Sequence, residues 1–332
     1  MPRSPAPFAE IWRGDIAESH HVGHAVICDA TGDIVEAWGD PEAIILPRSS
    51  AKMIQAMPLV TSGAAEAAGL TSEQLALACA SHEGAPIHID RVAAWLSDRG
   101  LSEDDLRCGA QPTRDRALKI HNIKHDIPPN QLHNNCSGKH AGFLTLNQHL
   151  GGGPEYHETD HPVQRACLEI FEDLTGMTSP GYGIDGCSAP NFATSMHGMA
   201  RAMARFASAT EADVAGRAMI ALREAMMAHP MLVAGEGRAC TRLMQAATEP
   251  VAVKTGAEGY FTAILPERGF GIAVKCIDGA TRGAECAIAA LLVRLGAASA
   301  DHPDVAAFLN PEIPNRRGVK TGEIRPAPGL LA

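Results

Sequence analysis

Pro250-Val-Ala-Val-Lys254, Gly259-Tyr-Phe-Thr-Ala-Ile-Leu265 and Gly269-Phe-Gly-Ile-Ala-Val-Lys275 are three short apolar runs separated by turns that contain glycine. Each has strand length rather than helix length and is rich in β-branched or aromatic residues. Together they predict three antiparallel strands joined by tight turns. A helix predicted from Thr281 to Leu295 closes the fold behind them. The opposite end of the chain carries a matching signal. His24-Ala-Val-Ile-Cys28, a turn at Asp29-Ala-Thr-Gly32 and Asp33-Ile-Val-Glu-Ala-Trp38 read as a hairpin. Between the two ends the pattern is helical. A helix is expected from Ser49 to Thr61, kinked at Pro58. Another starts at Thr71-Ser72-Glu73-Gln74, and a third is bracketed by Pro86 and Gly100. Asp160–Gly176 and Glu211–His229 are predicted helical, with Thr210 capping the second. The fold class is therefore α/β, more narrowly α+β. One antiparallel sheet is built from the two chain ends, about 10–48 and 250–300, and a mainly helical lobe, about 49–249, is inserted in a single unit.

Two lysines sit within reach of hydroxyls by fixed spacing. Pro47-Arg48-Ser49-Ser50-Ala51-Lys52 contains S-x-x-K, and Lys254-Thr255-Gly256 is a K-T-G. Three residues apart on a helix, Ser49 and Lys52 share a face. Leu46-Pro47 before them and Met53-Ile-Gln-Ala-Met57 after them mark a buried helix, where a lysine needs a reason. A lysine that loses its proton in a dry site can activate an adjacent serine. S-x-x-K followed by K-T-G is the pair of marks carried by penicillin-binding proteins and serine β-lactamases, whose layout of sheet and inserted helical lobe also matches. The chain reads as a serine-nucleophile amidohydrolase.

Three further stretches carry candidate chemistry. Ala80-Ser81-His82-Glu83-Gly84 follows a helical run and suggests a turn opening into a cleft. In that layout a serine from the helical lobe would partner Lys254. Asn134-Asn-Cys136-Ser-Gly-Lys139-His140 and Gly183-Ile-Asp185-Gly-Cys187-Ser188 place two cysteines in polar, glycine-containing turns. Exposed thiols there are candidate zinc ligands, completed by His140, Lys139 or Asp185. Two ordinary free thiols are the alternative. Cys79, Cys167, Cys240 and Cys286 lie in helical patterns and read as small core residues. His121, His125, His157 and His161 read as solvated or capping groups, and Glu103-Asp104-Asp105 as an acidic first turn after Ser102.

Composition bounds the partners. The chain has 332 residues, 45% hydrophobic, 20% charged and 4% aromatic, so its core is built from aliphatic and small side chains. A net charge of −10 argues against nucleic acid or an anionic membrane. Nine cysteines without framework spacing, no long apolar run and no signal-like start at Met1-Pro2-Arg3-Ser4-Pro5 lead us to expect a cytoplasmic protein.

R-S-S-A-K, A-S-H-E-G, N-N-C-S-G-K-H-A-G-F, G-I-D-G-C-S-A-P and V-K-T-G-A-E-G, in that order, resemble the Rhizobium etli-type (class 3) L-asparaginases. The likeness runs from about residue 10 to about residue 300 and implies the fold of serine β-lactamases, penicillin-binding proteins and glutaminases. It also implies Ser49 as nucleophile with Lys52 as base, and Ser81 with Lys254 as a second tandem in contact with the first, which leaves open which of the two serines attacks. Cys136, Lys139 and Cys187 would bind Zn²⁺, beside Asp185, and the metal would strongly lower the Lys139 pKa. Arg48, His140 and Asp185 would contact substrate or its surroundings. The substrate would be L-asparagine, and a homodimer is expected. The nearest rivals are a penicillin-interactive or glutaminase-type amidohydrolase. The missing S-x-N and the cytoplasmic character weigh against the first. A zinc-dependent binding protein with structural serines is a rival of a different class.

Overall fold

The computed structural model describes residues 3–331. The chain forms two compact units. One takes the chain up to Ser50, Thr194–Ser208 and everything from Ala239; the other takes Ala51–Ala193 and Ala209–Arg238.

The first unit is organised on an eight-stranded antiparallel sheet. Its strands are β1 (Ala6–Arg13), β2 (Ile16–Cys28), β3 (Ile34–Trp38), β4 (Ala252–Gly256), β5 (Tyr260–Leu265), β6 (Phe270–Cys276), β7 (Glu312–Pro314) and β8 (Lys320–Pro326). The order is β7-β8-β1-β2-β6-β5-β4, with β3 paired to β2 off this path. The two chain ends meet where Val26 lies opposite Ala273 and Ile27 opposite Ile272. The expected hairpin and the three C-terminal strands are present. The helix expected from Thr281 to Leu295 forms at Thr281–Arg294 but does not close the fold: a helix at Pro303–Leu309, β7 and β8 follow it. These strands and β1 escaped the pattern because their alternation is broken. Register shifts fall at Pro7/Ala9, Ile11/Trp12 and Ile313/Pro314.

β5 is buried along its whole length, which a half-exposed antiparallel strand would not be. Helices cover both faces. A Cβ on Gly271 would meet the backbone of Ala200 to Ala204, in the Met196–Ser208 helix, with a 2.0 Å approach to Ala204 N. Cys276, of opposite parity on β6, touches Gly283 of the Thr281–Arg294 helix. An apolar run buried on two sides needs no alternation.

The second unit is helical. The turn at Arg48–Ala51 is a 3₁₀ turn, and the α-helix proper is Lys52–Thr61, so Ser49 precedes the helix instead of opening it. Pro58 lies inside it without ending it. This helix packs against Pro162–Thr175, Val214–Ala228 and Ser137–Leu150. The capping box at Thr71 and Gln74 starts Ser72–Ala78, Pro86 opens Pro86–Asp98, and His161 caps Pro162–Thr175. Thr210 is not the cap of Val214–Ala228. Asp213 is, its Oδ1 accepting from Gly216 N at 2.6 Å. Among the described residues no helix is long and apolar enough to cross a membrane.

Ser137–Leu150 is buried on every side from Ser137 to Asn147. It reaches that depth because Gly138 crosses Ser72–Ala78 with no side chain in the way; a Cβ there would lie 2.4 Å from Leu77 O. Gly138→Ala should therefore destabilise the protein by about 1–3 kcal/mol, the scale of overpacking in a closed core. A lowered urea midpoint is the expected reading, and an unchanged midpoint would refute this close-crossing account.

Candidate active site

Lys52 is 1% exposed and directs its amine at three oxygens from distant parts of the helical unit. Its Nζ donates to the carbonyls of Ala80 and, at 3.5 Å, Asn135, and lies 3.0 Å from Ser81 Oγ. A carbonyl can only accept, so two of the contacts are fixed in direction. The hydroxyl can accept or donate. The Lys52–Ser81 contact is thus the one across which a proton can pass either way.

The Ser81 loop is held from both sides. Ser81 N donates to Val233 O at 2.9 Å and His82 N to Asn135 O at 3.2 Å. His82, fully buried, contacts Ser137 Oγ at 3.0 Å through Nε2, and Ser137 Oγ donates onward to Leu132 O. Ser137 therefore accepts from His82, which leaves Nδ1 to accept Gly84 N at 3.1 Å. His82 is a residue that sequence reasoning passed over. Its signal was present, since it stands inside A-S-H-E-G.

Cys136 is the N-cap residue of Ser137–Leu150. Asn134 pins that loop by donating to Cys108 O and Gly109 O at 2.8 and 2.9 Å and accepting Cys136 N at 2.8 Å. Cys187 rides on the turn that reverses Tyr182–Ile184 into Pro190–Phe192. The turn is closed by Ser188 N to Asp185 O and Asp185 N to Ala189 O, both 2.9 Å, with Ser188 at φ +70°. Contrary to expectation, neither thiol is exposed: Cys136 and Cys187 keep 4% and 3% of their surface. Lys139 Nζ lies 3.0 Å from Cys187 Sγ.

These groups share protons. A hydrogen bond from Cys136, and then Lys139, hold the Cys187 thiol well below its ordinary value despite burial. The same hydrogen bond and burial push Cys136 up to about 12. Burial favours the neutral form of Lys139, but Cys187, Cys136 and Asp185 outweigh it and raise the amine. The protein's own charges thus act on Lys139 opposite to the lowering expected from a metal. Two sulfurs and an amine converging in a dry pocket suit a Zn²⁺ ion, which would take over the positive charge that the ammonium supplies. His140, fully buried, is held neutral by burial first and then by Lys139.

In the sheet unit, Lys254 is fully buried and donates to Thr255 O at 2.7 Å. K-T-G needs its glycine, because a Cβ on Gly256 would lie 2.7 Å from both Pro47 O and Ser50 Oγ. That contact brings the turn bearing Arg48 and Ser49 beside Lys254. Arg48 has φ +53°, a left-handed conformation that costs a non-glycine residue energy and persists only where its surroundings impose it. Cys79, Cys167, Cys240 and Cys286 are all buried.

Among the described residues, one other group of potential metal ligands converges: His21, Cys276 and Asp278. Arg282 Nε donates to His21 Nε2 at 2.8 Å, so the ring hydrogen sits on Nδ1 and goes to Asp278 Oδ2 at 2.6 Å. Cys276 Sγ donates to the other oxygen at 3.0 Å. Every hydrogen has an acceptor without a cation, and the cluster works as a clasp. Burial raises the Asp278 carboxyl, but hydrogen bonds from Cys276, Ala280 N and His21 outweigh it and hold it at about 2, below 3.8. A depressed carboxyl contributes stability above its unfolded value and loses it as pH falls toward the folded one. Urea midpoints of the native protein and Asp278→Asn should therefore diverge as pH rises from about 2 to about 5. A gap that stays constant over that range would rule the carboxylate out.

The fold and these contacts define a mixed α/β protein whose helical unit buries a serine–lysine pair beside two thiols and an amine. The sequence model of L-asparaginase II matches residues 9–326, and the chain belongs to that family. No curated protein sequence matches it. Among solved structures it is similar to Mglu in an L-glutamate-binding form, with 14% identity and a TM-score of 0.48 over 88% of this chain and 63% of that one. A second Mglu structure, in a tris and glutamate form, gives 12% identity and a TM-score of 0.43 over 85% and 60%. A β-lactamase from Mycobacterium bovis gives 13% and 0.36 over 79% and 89%. The chain thus spans less than two thirds of the Mglu chains it matches. All three scores lie below one half, and none bears on the chemistry.

Proposed function

We propose that the protein is an L-asparaginase that hydrolyses L-asparagine to L-aspartate and ammonia by serine–lysine chemistry. The observation that carries the reading is the buried Lys52 amine 3.0 Å from Ser81 Oγ, in a chain of the L-asparaginase II family. Ser49 attacks the side-chain amide, and its proton goes to Lys52, which can pass it on to the Ser81 hydroxyl that it meets. Backbone N–H groups of the turn at Ser49 receive the developing oxyanion. Ser81 and Lys254 return a proton to the departing ammonia, and water then hydrolyses the aspartyl ester. Arg48, His140 and Asp185 hold the substrate.

In this reading Cys136, Lys139 and Cys187 hold one Zn²⁺, whose charge polarises and orients the substrate. The enzyme is a cytoplasmic homodimer without nucleic-acid or membrane partners. Nine buried cysteines and the net charge of −10 support the compartment and the partners.

Ammonia release from L-asparagine and L-glutamine, measured side by side, tests the activity. Turnover of asparagine is expected, and inertness toward it would end the proposal. Ser49→Ala and Lys52→Ala should each lower kcat by ~10⁴–10⁶ with the circular dichroism of the native fold retained; near-normal turnover in either would remove that residue from the mechanism. Metal analysis should find about one Zn²⁺ per chain. Cys136→Ala should empty the site and raise KM more than it lowers kcat. Full metal content with unchanged KM would return both cysteines to free thiols.

A further inference from the structure

Tyr156 stands at a hydrogen-bond junction that the proposed chemistry leaves unused. It is fully buried, with its ring against those of His140, Phe143 and His157. Its hydroxyl receives Arg107 N at 2.8 Å and lies 2.8 Å from His140 Nδ1. A backbone amide can only donate, so the hydroxyl's own hydrogen has one destination, His140 Nδ1. Nδ1 therefore accepts, and the ring hydrogen is on Nε2. That Nε2 is buried and makes no hydrogen bond among the described residues. Native interiors rarely leave a buried N–H without an acceptor. The ring lies 5.6 Å from that of Phe143, over which Lys139 Nζ stands at 5.2 Å, so the unpartnered donor belongs to the surroundings of the candidate site.

We propose that Tyr156 is a positioning residue that locks His140 as an Nε2–H donor for a carbonyl or carboxylate oxygen of the substrate. The proposal rests on reading this site as one that binds substrate. It makes His140 a donor and leaves the role of base to Lys52. A site built around a fixed donor rejects a ligand that lacks the matching oxygen, because the N–H is then left buried and unpaired.

Two measurements on the full-length protein, expressed with Zn²⁺, test it. In ¹⁵N-histidine spectra, with His140 assigned by its loss in His140→Gln, the resting protein should show a protonated Nε2 and an unprotonated Nδ1. Protonated Nδ1 would overturn the proposal, and this arm needs no turnover. It therefore separates a wrong tautomer from a wrong activity. The second arm is a double-mutant cycle on L-asparagine hydrolysis. Tyr156→Phe should raise KM by about tenfold with kcat nearly unchanged, the scale of one neutral hydrogen bond. A glutamine at position 140 offers a fixed amide N–H with no tautomer to lock. Tyr156→Phe should therefore add little to KM in the His140→Gln background. Equal losses in both backgrounds would make Tyr156 a packing residue and overturn the proposal.

Discussion

A buried amine must hand its hydrogens to protein acceptors, and much of the helical unit is arranged so that Lys52 can. At 1% exposure it has no solvent to fall back on. The carbonyl of Ala80, the hydroxyl of Ser81 and the carbonyl of Asn135 supply the oxygens. Each is fixed in turn. Val233 O holds Ser81 N, Asn135 O also takes His82 N, and Asn134 pins its loop to Cys108 and Gly109. An acceptor that moved away would leave a buried donor unpaired, at a cost of about 1–3 kcal/mol. The loops that carry Ser81 and Cys136 are consequently parts of one hydrogen-bonded assembly.

The same economy governs the metal-type cluster and the histidine beside it. Small residues let Ser137–Leu150 sink to the centre of its unit, so Cys136, Lys139 and His140 arrive already desolvated. Desolvation would neutralise Lys139 if it stood alone; the sulfurs and Asp185 reverse the outcome. At His140 the raising effect of Cys136 is outweighed by burial, Lys139 and Lys52, and the ring stays neutral. Two adjacent residues on one buried helical turn thus differ in charge because the raising interactions outweigh burial at only one of them.

The sheet unit solves a simpler problem. Its central strands are apolar without alternation because helices cover both faces. Glycine appears where a backbone must come close, at Gly271 under the Met196–Ser208 helix and at Gly256 against Pro47 and Ser50. The second approach sets the Arg48–Ser49 turn beside Lys254 within one unit. The Met196–Ser208 helix comes from the middle of the sequence yet packs in the sheet unit, a placement that local periodicity does not encode.

What the residues determine by themselves is whatever depends on neighbours in the chain. The strands from Ala252 to Cys276, the hairpin at Ile34, the capping box at Thr71 and the cap at His161 follow from spacing and side-chain reach over a few residues. Ser49, Lys52, Ser81, Cys136, Lys139, Cys187 and Lys254 could be singled out for the same reason, as short motifs. Tertiary structure alone decided the rest. Lys52 meets a hydroxyl 29 residues away, and Lys139 a sulfur 48 residues away. The side of each proton, the depth of each thiol and the tautomer of His140 are set by fields and hydrogen bonds from distant segments. Those act only once the chain has excluded water, because charges interact strongly and unpaired donors become costly only in a low-dielectric interior.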